Sequence, residues 1–427
     1  MNNERLIVKE IARIEGHLDV ALYISENEIR QVRAEAVEGT RILERVLIGK
    51  SYMEVPEITS RMCGVCSVIH KVTAVQAIEN ALGIELPSEL KNIRELTVIG
   101  GHIQSHILHL FFFVLPDLLR KTNIFDIAKQ NVDLVKRVIE LKRLANKIIE
   151  ILGGSRVHPI APIPGGVSKQ IRRSELSKVL DIISNMKKVA PDIVRVFLEI
   201  ELPSFSKQNI YVALHDGKSV PLLEGNIMIS NDGIYKPEEY PKLLIATRES
   251  YSVAPHYVLA KSQQDYMVGA LSRLNHNHDY LSLSAKELCK EYNLKFPMHT
   301  PFANNTAQAV EIMHFIDKAE EIINNLLENP PRENIVKFDI KEGDGIAVTE
   351  APRGLLIHHY RINSVGKVIW ANIVTPTAQN LKSIEANAKA YGEEVLKKGY
   401  DIKLEIEKLV RAYDPCLSCA ARFYKES

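Results

Sequence analysis

The sequence predicts an α+β fold, mainly helical, built as one large unit rather than as separable domains. Three observations carry this. Apolar residues recur at three- and four-residue spacing through most of residues 88–330. Period-two alternation marks residues 1–30, and β-rich runs bounded by turn residues mark 345–374. No Pro/Gly/Ser-rich linker, internal repeat or low-complexity stretch separates these regions.

The elements follow in chain order. Leu18, Val20, Leu22 and Ile24 alternate with His17, Asp19, Ala21 and Tyr23, which predicts strands near the start. Leu96, Ile99, Ile103, His106 and Leu110 fall near one helical face, with Gly100 and Gly101 inside it. Residues 132–152 repeat apolar positions at helical spacing and stop at Gly153-Gly154. Residues 176–198 do the same, with Pro191 expected to kink or split the helix. Residues 205–265 are rich in Gly, Pro and Tyr and predict an irregular insertion. A further helix over 306–327 closes at Pro330-Pro331. Residues 345–349 and 354–360 predict paired strands, followed by 368–374. Helices at 378–396 and 401–412 precede a final cysteine pair, so 378–422 forms the last part of the unit.

Composition bounds the function. The chain has 427 residues, 46% hydrophobic and 25% charged, ordinary for a packed protein. Lys plus Arg is 54 and Asp plus Glu 53, a net of +1. That balance leaves no electrostatic footprint for nucleic acid or anionic membrane. The most apolar run, 107–115, is shorter than the roughly 20 residues a bilayer span needs, and His109 interrupts it. Residues 1–5 do not open a secretory signal. A cytoplasmic chain without membrane insertion is expected. GxGxxG and GxxxxGK[ST] motifs are absent, so a nucleotide carrier would sit on another chain.

Four of the five cysteines form two CxxC pairs, Cys63/Cys66 and Cys416/Cys419. Each pair aims two sulfurs at one point, and two pairs supply four thiolates for a tetrahedral ion or a two-metal cluster. Zinc is the simplest occupant, but zinc ribbons close loops of about 15–20 residues, and here 350 positions separate Cys66 from Cys416. A thioredoxin-like dithiol would need only one pair and a surrounding βαβ unit. Cys289 stands alone and reads as a half-buried packing residue.

The flanking residues favour one family. Arg61-Met-Cys-Gly-Val-Cys-Ser-Val-Ile-His70 and Asp414-Pro-Cys-Leu-Ser-Cys-Ala-Ala-Arg422 together resemble the two signature motifs of the nickel-iron hydrogenase large subunit. Arg13-Ile-Glu-Gly-His17, Arg41-Ile-Leu-Glu44, Ser105-His-Ile-Leu-His109, Pro301-Phe-Ala-Asn-Asn305, Glu350-Ala-Pro-Arg-Gly354 and Thr375-Pro-Thr377 extend the resemblance in the family's order. It is most similar to the cytosolic multimeric members, which couple hydrogen to NAD(P), deazaflavin or a disulfide-reductase partner. The fold so implied is a central helix bundle with small peripheral antiparallel sheets.

The resemblance implies reversible heterolytic cleavage of dihydrogen. Cys63 and Cys416 become terminal nickel ligands, and Cys66 and Cys419 bridge nickel to an iron carrying carbon monoxide and two cyanides. Such a site holds a charge of about −2 and needs buried donors around it. Arg353, after Pro352, supplies the matching cation, and Thr377 a hydroxyl donor. Cys416 or Arg353 first takes the proton, and Glu15 relays it, a task suited to carboxyl groups because burial lifts their pKa. His70, His106 and His109 are expected to hydrogen-bond a thiolate or support the site from behind, and Asp414 to belong to the same surroundings.

Glu44 resembles a magnesium ligand. The family's histidine ligand at the other end of that site is replaced here by Arg422, which cannot bind a cation. Two readings stay open at this point: the magnesium site is in doubt, or Arg422 replaces the ion with its own charge and bridges to Glu44. Ser105 stands where membrane-bound members carry an aspartate. The expected unit is 1–422, with 423–427 a candidate extension removed by a maturation endopeptidase. The implied partners are an iron-sulfur small subunit, since no spare cysteine set remains for clusters, and a diaphorase or other electron-transfer subunits. A hydrogen sensor and a zinc-bound structural subunit are the competing readings.

Overall fold

The early alternation forms an antiparallel meander of Asn3–Val8, Leu18–Ser25 and Glu28–Ala36. The structure, a computed structural model, describes residues 3–26, 28–37 and 43–422. Leu18, Val20 and Leu22 are buried, and the sheet packs on the helix Pro376–Lys398. The second meander, Gly343–Ala351, Gly354–Ile362 and Val368–Val374, is covered by the helix Ser67–Leu82.

Between these sheets lies the helical part. Ser88–Ile107 runs on through a wide-turn segment, Leu108–Val114, into Leu115–Leu118. It packs against Val132–Gly153 and Ala303–Glu328, and Arg173–Leu198 lies on both of these. The 31-residue stretch Ser88–Leu118 is long and apolar enough to cross a membrane by composition. Its apolarity has another cause: 83% of its most apolar window is buried inside the protein. The sequence had suggested only the short run 107–115, because flanking Gly, His and Ser residues hide how much of the helix is buried.

Of the kink or split expected at Pro191, the split does not occur: Arg173–Leu198 is one helix that carries Pro191 inside it. Ile183, Met186, Ala190, Ile193, Val194 and Phe197 form a continuous buried stripe through that point. Burying one such side chain is worth about 1.5–3 kcal/mol, so the stripe on either side outweighs the roughly 3 kcal/mol proline penalty. The irregular insertion is present as two small sheets, Val212–His215, Asn226–Ile229 and Gly233–Tyr235, and Leu244–Thr247 with His256–Leu259.

A single buried apolar cluster draws on both meanders and the long helices. The chain's two cysteine pairs both reach it, which is how 350 positions are closed.

Candidate metal centre

Each cysteine pair sits at a helix start. Cys66 is the N-cap of Ser67–Leu82, with Cys63 in the turn before it, and Cys416 is the N-cap of the short helix Leu417–Ala420, which carries Cys419. All four are buried, and their sulfurs lie within 4.8 Å of one another. Cys416 Sγ is 3.1 Å from Cys419 Sγ, 3.4 Å from Cys63 Sγ and 4.0 Å from Cys66 Sγ. Four anions cannot share so small a space without a metal. Hydrogen bonds from Cys416, Cys419 and Cys66 pull the Cys63 thiol far below its ordinary value. The same exchange pushes Cys416 and Cys419 well above theirs. The four cysteines would hold a soft divalent ion as thiolates, giving up their protons to it.

Arg353 is aimed at the cluster by a tight hairpin. Ala351 pairs with Gly354, so Pro352 and Arg353 form a two-residue loop between the strands. Gly354 has φ 123°, and a Cβ there would come 2.6 Å from Gly269 N, so the turn admits no side chain. Arg353 Nη1 donates to Cys66 Sγ at 3.1 Å and, at 3.5 Å, to Ser105 Oγ. Its Nη2 donates to Asp414 Oδ1 at 2.9 Å and its Nε to the Asp414 carbonyl at 2.8 Å. Burial opposes the guanidinium charge, but Asp414 and the cysteines outweigh it and hold the group protonated. Thr377 Oγ1 accepts the Cys416 N–H at 2.8 Å, a contact that leaves its own hydroxyl proton uncommitted.

Glu15 closes the other side. Its carbonyl accepts the Leu417 N–H at 2.8 Å, and its Oε2 accepts the Ser418 N–H at 3.0 Å. The same oxygen lies 3.1 Å from Cys416 Sγ. Gly16, at φ 82°, permits this close approach, since a Cβ there would lie 2.7 Å from Leu417 Cβ. Half-buried Glu15 and buried Cys63 line a cavity of about 270 Å³ whose wall continues through Gln104, Lys142 and Asn146 to exposed Arg156 and Val157.

His106 and His109, expected to meet a thiolate, bond elsewhere, and His70 turns one ring nitrogen to His358. His70 Nδ1 is 3.1 Å from His358 Nε2, whose other nitrogen meets the Tyr360 hydroxyl at 2.5 Å. Burial, reinforced by Arg422 and opposed by Cys63, pushes His70 down to about 4. His106 Nε2 lies 2.8 Å from Glu311 Oε2. His109 lies 2.6 Å from both Gln308 Oε1 and the Arg411 carbonyl, and Gln308 Nε2 donates to Asp414 Oδ2 at 3.3 Å. His106 and His109 thus brace the layer behind Arg353 rather than the sulfurs. The reason is helical geometry. The wide turns at Leu108–Val114 point His109 toward Ala303–Glu328, not toward the cysteines.

Arg273 is the main site neighbour that sequence reasoning missed. It is fully buried and donates to both oxygens of Glu311 at 2.7 and 2.8 Å, to Glu350 Oε2 at 2.9 Å, and to the carbonyls of Ala351 at 2.8 Å and Pro352 at 3.1 Å. It pins the loop that carries Arg353. Burial works against a charged Glu311, but Arg273 and His106 hold it well below the usual carboxylate range. Burial pushes Glu350 up to about 7 against Arg273 and the Leu214 N–H. Gln308, Glu311 and Phe315 share one face of Ala303–Glu328, and a polar pair on an otherwise apolar buried stripe was the available signal.

Glu44 is placed against Arg422, whose Nε donates to Glu44 Oε1 at 2.7 Å. Arg41 and Ile42, and the candidate extension 423–427, lie outside the described residues.

Comparison with known proteins agrees with this geometry. The family model for nickel-dependent hydrogenase matches residues 41–137 and 227–422. Sulfhydrogenase 2 subunit alpha of Pyrococcus furiosus is 32% identical over 97% of this chain and 98% of its own. NAD-reducing hydrogenase HoxS subunit beta of Cupriavidus necator is 27% identical over 98% and 94%. Among solved structures, an NAD+-reducing [NiFe]-hydrogenase in the H2-reduced state superposes with a TM-score of 0.88 at 26% identity, over 98% of this chain and all of the other.

Proposed function

Because the chain belongs to the nickel-dependent hydrogenase family, we propose that it is the hydrogen-activating subunit of a [NiFe] hydrogenase, an oxidoreductase. The observation that carries the reading is the buried set of four sulfurs faced by Arg353 on one side and Glu15 on the other. Cys63, Cys66, Cys416 and Cys419 would hold nickel and iron, the iron carrying carbon monoxide and two cyanides. When bound, that pair supplies the heterolytic splitting of dihydrogen.

The chain's own groups divide the remaining work. Arg353 donates to Cys66 Sγ and Thr377 keeps a hydroxyl proton to offer, so both could serve the cluster's excess negative charge, and Asp414 keeps the guanidinium oriented. Cys416 Sγ takes the proton, Glu15 Oε2 receives it 3.1 Å away, and the cavity beside Glu15 leads it toward Arg156 and solvent. Arg353 is the less suitable first acceptor, because three of its donors are already committed to Asp414 and Cys66.

Electrons need another route. Cys289 is the one cysteine outside the cluster, so this chain cannot ligate iron-sulfur clusters by itself. An iron-sulfur small subunit is the partner this favours, with a diaphorase or other electron-transfer subunit beyond it. One relative is named for reducing NAD and another for not reducing F420, yet both align with nearly the whole chain, which supports a carrier bound elsewhere. We further read 1–422 as one catalytic unit, matured by removal of 423–427 and located in the cytoplasm.

Nickel and iron content of the purified complex, with hydrogen-dependent dye reduction, tests this reading. Nickel near one per chain, with one iron beyond those the partner's clusters account for, and turnover support it. Zinc in their place without turnover leaves a structural subunit, and loaded metals with negligible turnover leave a sensor.

A further inference from the structure

Arg422 stands where the resemblance places a magnesium ligand, and its surroundings decide whether an ion fits. The guanidinium, 7% exposed, is ringed by four oxygens. Nε donates to Glu44 Oε1 at 2.7 Å, Nη1 to the carbonyls of Cys419 at 2.7 Å and Ala421 at 3.0 Å, and Nη2 to the Ile373 carbonyl at 3.2 Å. One carboxylate and three carbonyls are the hard oxygen donors that a divalent cation takes. Here a side chain's own cation fills the place, and a guanidinium that never deprotonates excludes a second cation beside it. The residues present do not fit magnesium.

We propose that Arg422 is a built-in cation, so that this chain holds no divalent ion between Glu44 and the second cysteine pair and needs none there. The guanidinium ties three separate segments together. Ile373 lies on the strand Val368–Val374, Glu44 on the helix Leu43–Leu47, and Cys419 on Leu417–Ala420. Its backbone N–H adds a fourth, donating to the Val253 carbonyl at 2.9 Å. The planar fork matches this spread of acceptors as a point charge would not. The consequence is that the position of Cys419 is indifferent to free magnesium. The same cage should accept magnesium once the guanidinium is removed and a neutral nitrogen ligand is supplied.

The test uses the complex purified from its native host and dialysed against EDTA, with metal content by mass spectrometry and the thermal unfolding midpoint as readouts. The wild-type complex is expected to carry magnesium well below one per chain, with a midpoint unmoved by EDTA or by added magnesium. The Arg422→His variant is expected to take up one magnesium per chain and to gain stability when it is added. Stoichiometric magnesium in the wild type, or a midpoint lowered by EDTA, would overturn the proposal. A folded variant indifferent to magnesium would overturn the claim that the oxygens form a cation cage. If the variant does not fold, the wild-type metal count decides alone. Loss of nickel, iron or hydrogen turnover bears on the proposed function and leaves this inference untouched.

Discussion

Replacing Glu15 by glutamine separates proton transfer from everything else that Glu15 does. Its Oε2 accepts the Ser418 N–H and faces Cys416 Sγ, and its carbonyl accepts the Leu417 N–H. A glutamine oxygen can occupy the Oε2 position and keep these contacts, with its NH2 turned toward the cavity. The change weakens one charge-assisted hydrogen bond to a neutral one, a loss of about 1 kcal/mol. It also removes the only carboxylate seen beside Cys416 among the described residues. Positioned acid–base groups contribute typically about 10²–10⁴-fold, so hydrogen oxidation should fall by about that factor, equivalent to about 3–5 kcal/mol in the barrier. The assay pairs hydrogen-driven dye reduction with hydrogen–deuterium exchange against D2O, both normalised to nickel content. The expectation is full metal loading, an unfolding midpoint near wild type, and a collapse of both rates. Full activity in Glu15→Gln would remove Glu15 from the proton route. Loss of nickel would show instead that its contacts to Leu417 and Ser418 are needed for assembly.

Four further outcomes follow from the same geometry. Arg273→Met leaves buried Glu311 and Glu350 without their guanidinium, and breaking such a pair costs about 3–5 kcal/mol; urea unfolding should register that loss, and a midpoint near wild type would refute the bracing role. Thr377→Val orphans the Cys416 N–H, at a cost of about 1–3 kcal/mol; reduced metal retention on dialysis is expected, and unchanged retention would contradict it. His70 and His314, each pushed down to about 4 by burial, and His102, pushed to about 3, are neutral in the folded state. The unfolded state binds protons first, below about pH 6.5, so stability is lost as pH falls from there toward 4, by roughly 3 kcal/mol per such histidine. Urea midpoints between pH 7.5 and 5 should decline steadily, and a flat profile would rule this out. Finally, Cys416 and Cys419 hold their protons well above the ordinary thiol range without metal, so metal uptake by the apo chain should release protons and tighten as pH rises; calorimetry in buffers of different ionisation enthalpy reads that release.

The sequence made some of this legible and hid the rest. Helices such as Val132–Gly153 announce themselves through apolar spacing and a glycine stop at φ 82°. The two cysteine pairs and the Pro352–Arg353 turn carry local signatures, and the bridge from Arg422 to Glu44 was one of two readings that the charge of Arg422 left open. Arg273 had no such signature. It sits in an ordinary helical run, Ala270–Asn277, and becomes important only because tertiary packing brings Glu311 and Glu350 to it from 38 and 77 positions away. His70 likewise finds its partner 288 positions away in His358. A split at Pro191 failed as a prediction for the same reason, since local propensity lost to a buried stripe contributed by the whole core.

The central claim is that the four buried sulfurs hold a nickel-iron site whose iron carries carbon monoxide and cyanide. An infrared spectrum of the complex purified from its native host, with maturation intact, tests it directly. Carbonyl and cyanide stretching bands from the bound iron are the predicted result. A spectrum without them, on protein that carries zinc in the four-sulfur site, would contradict the account.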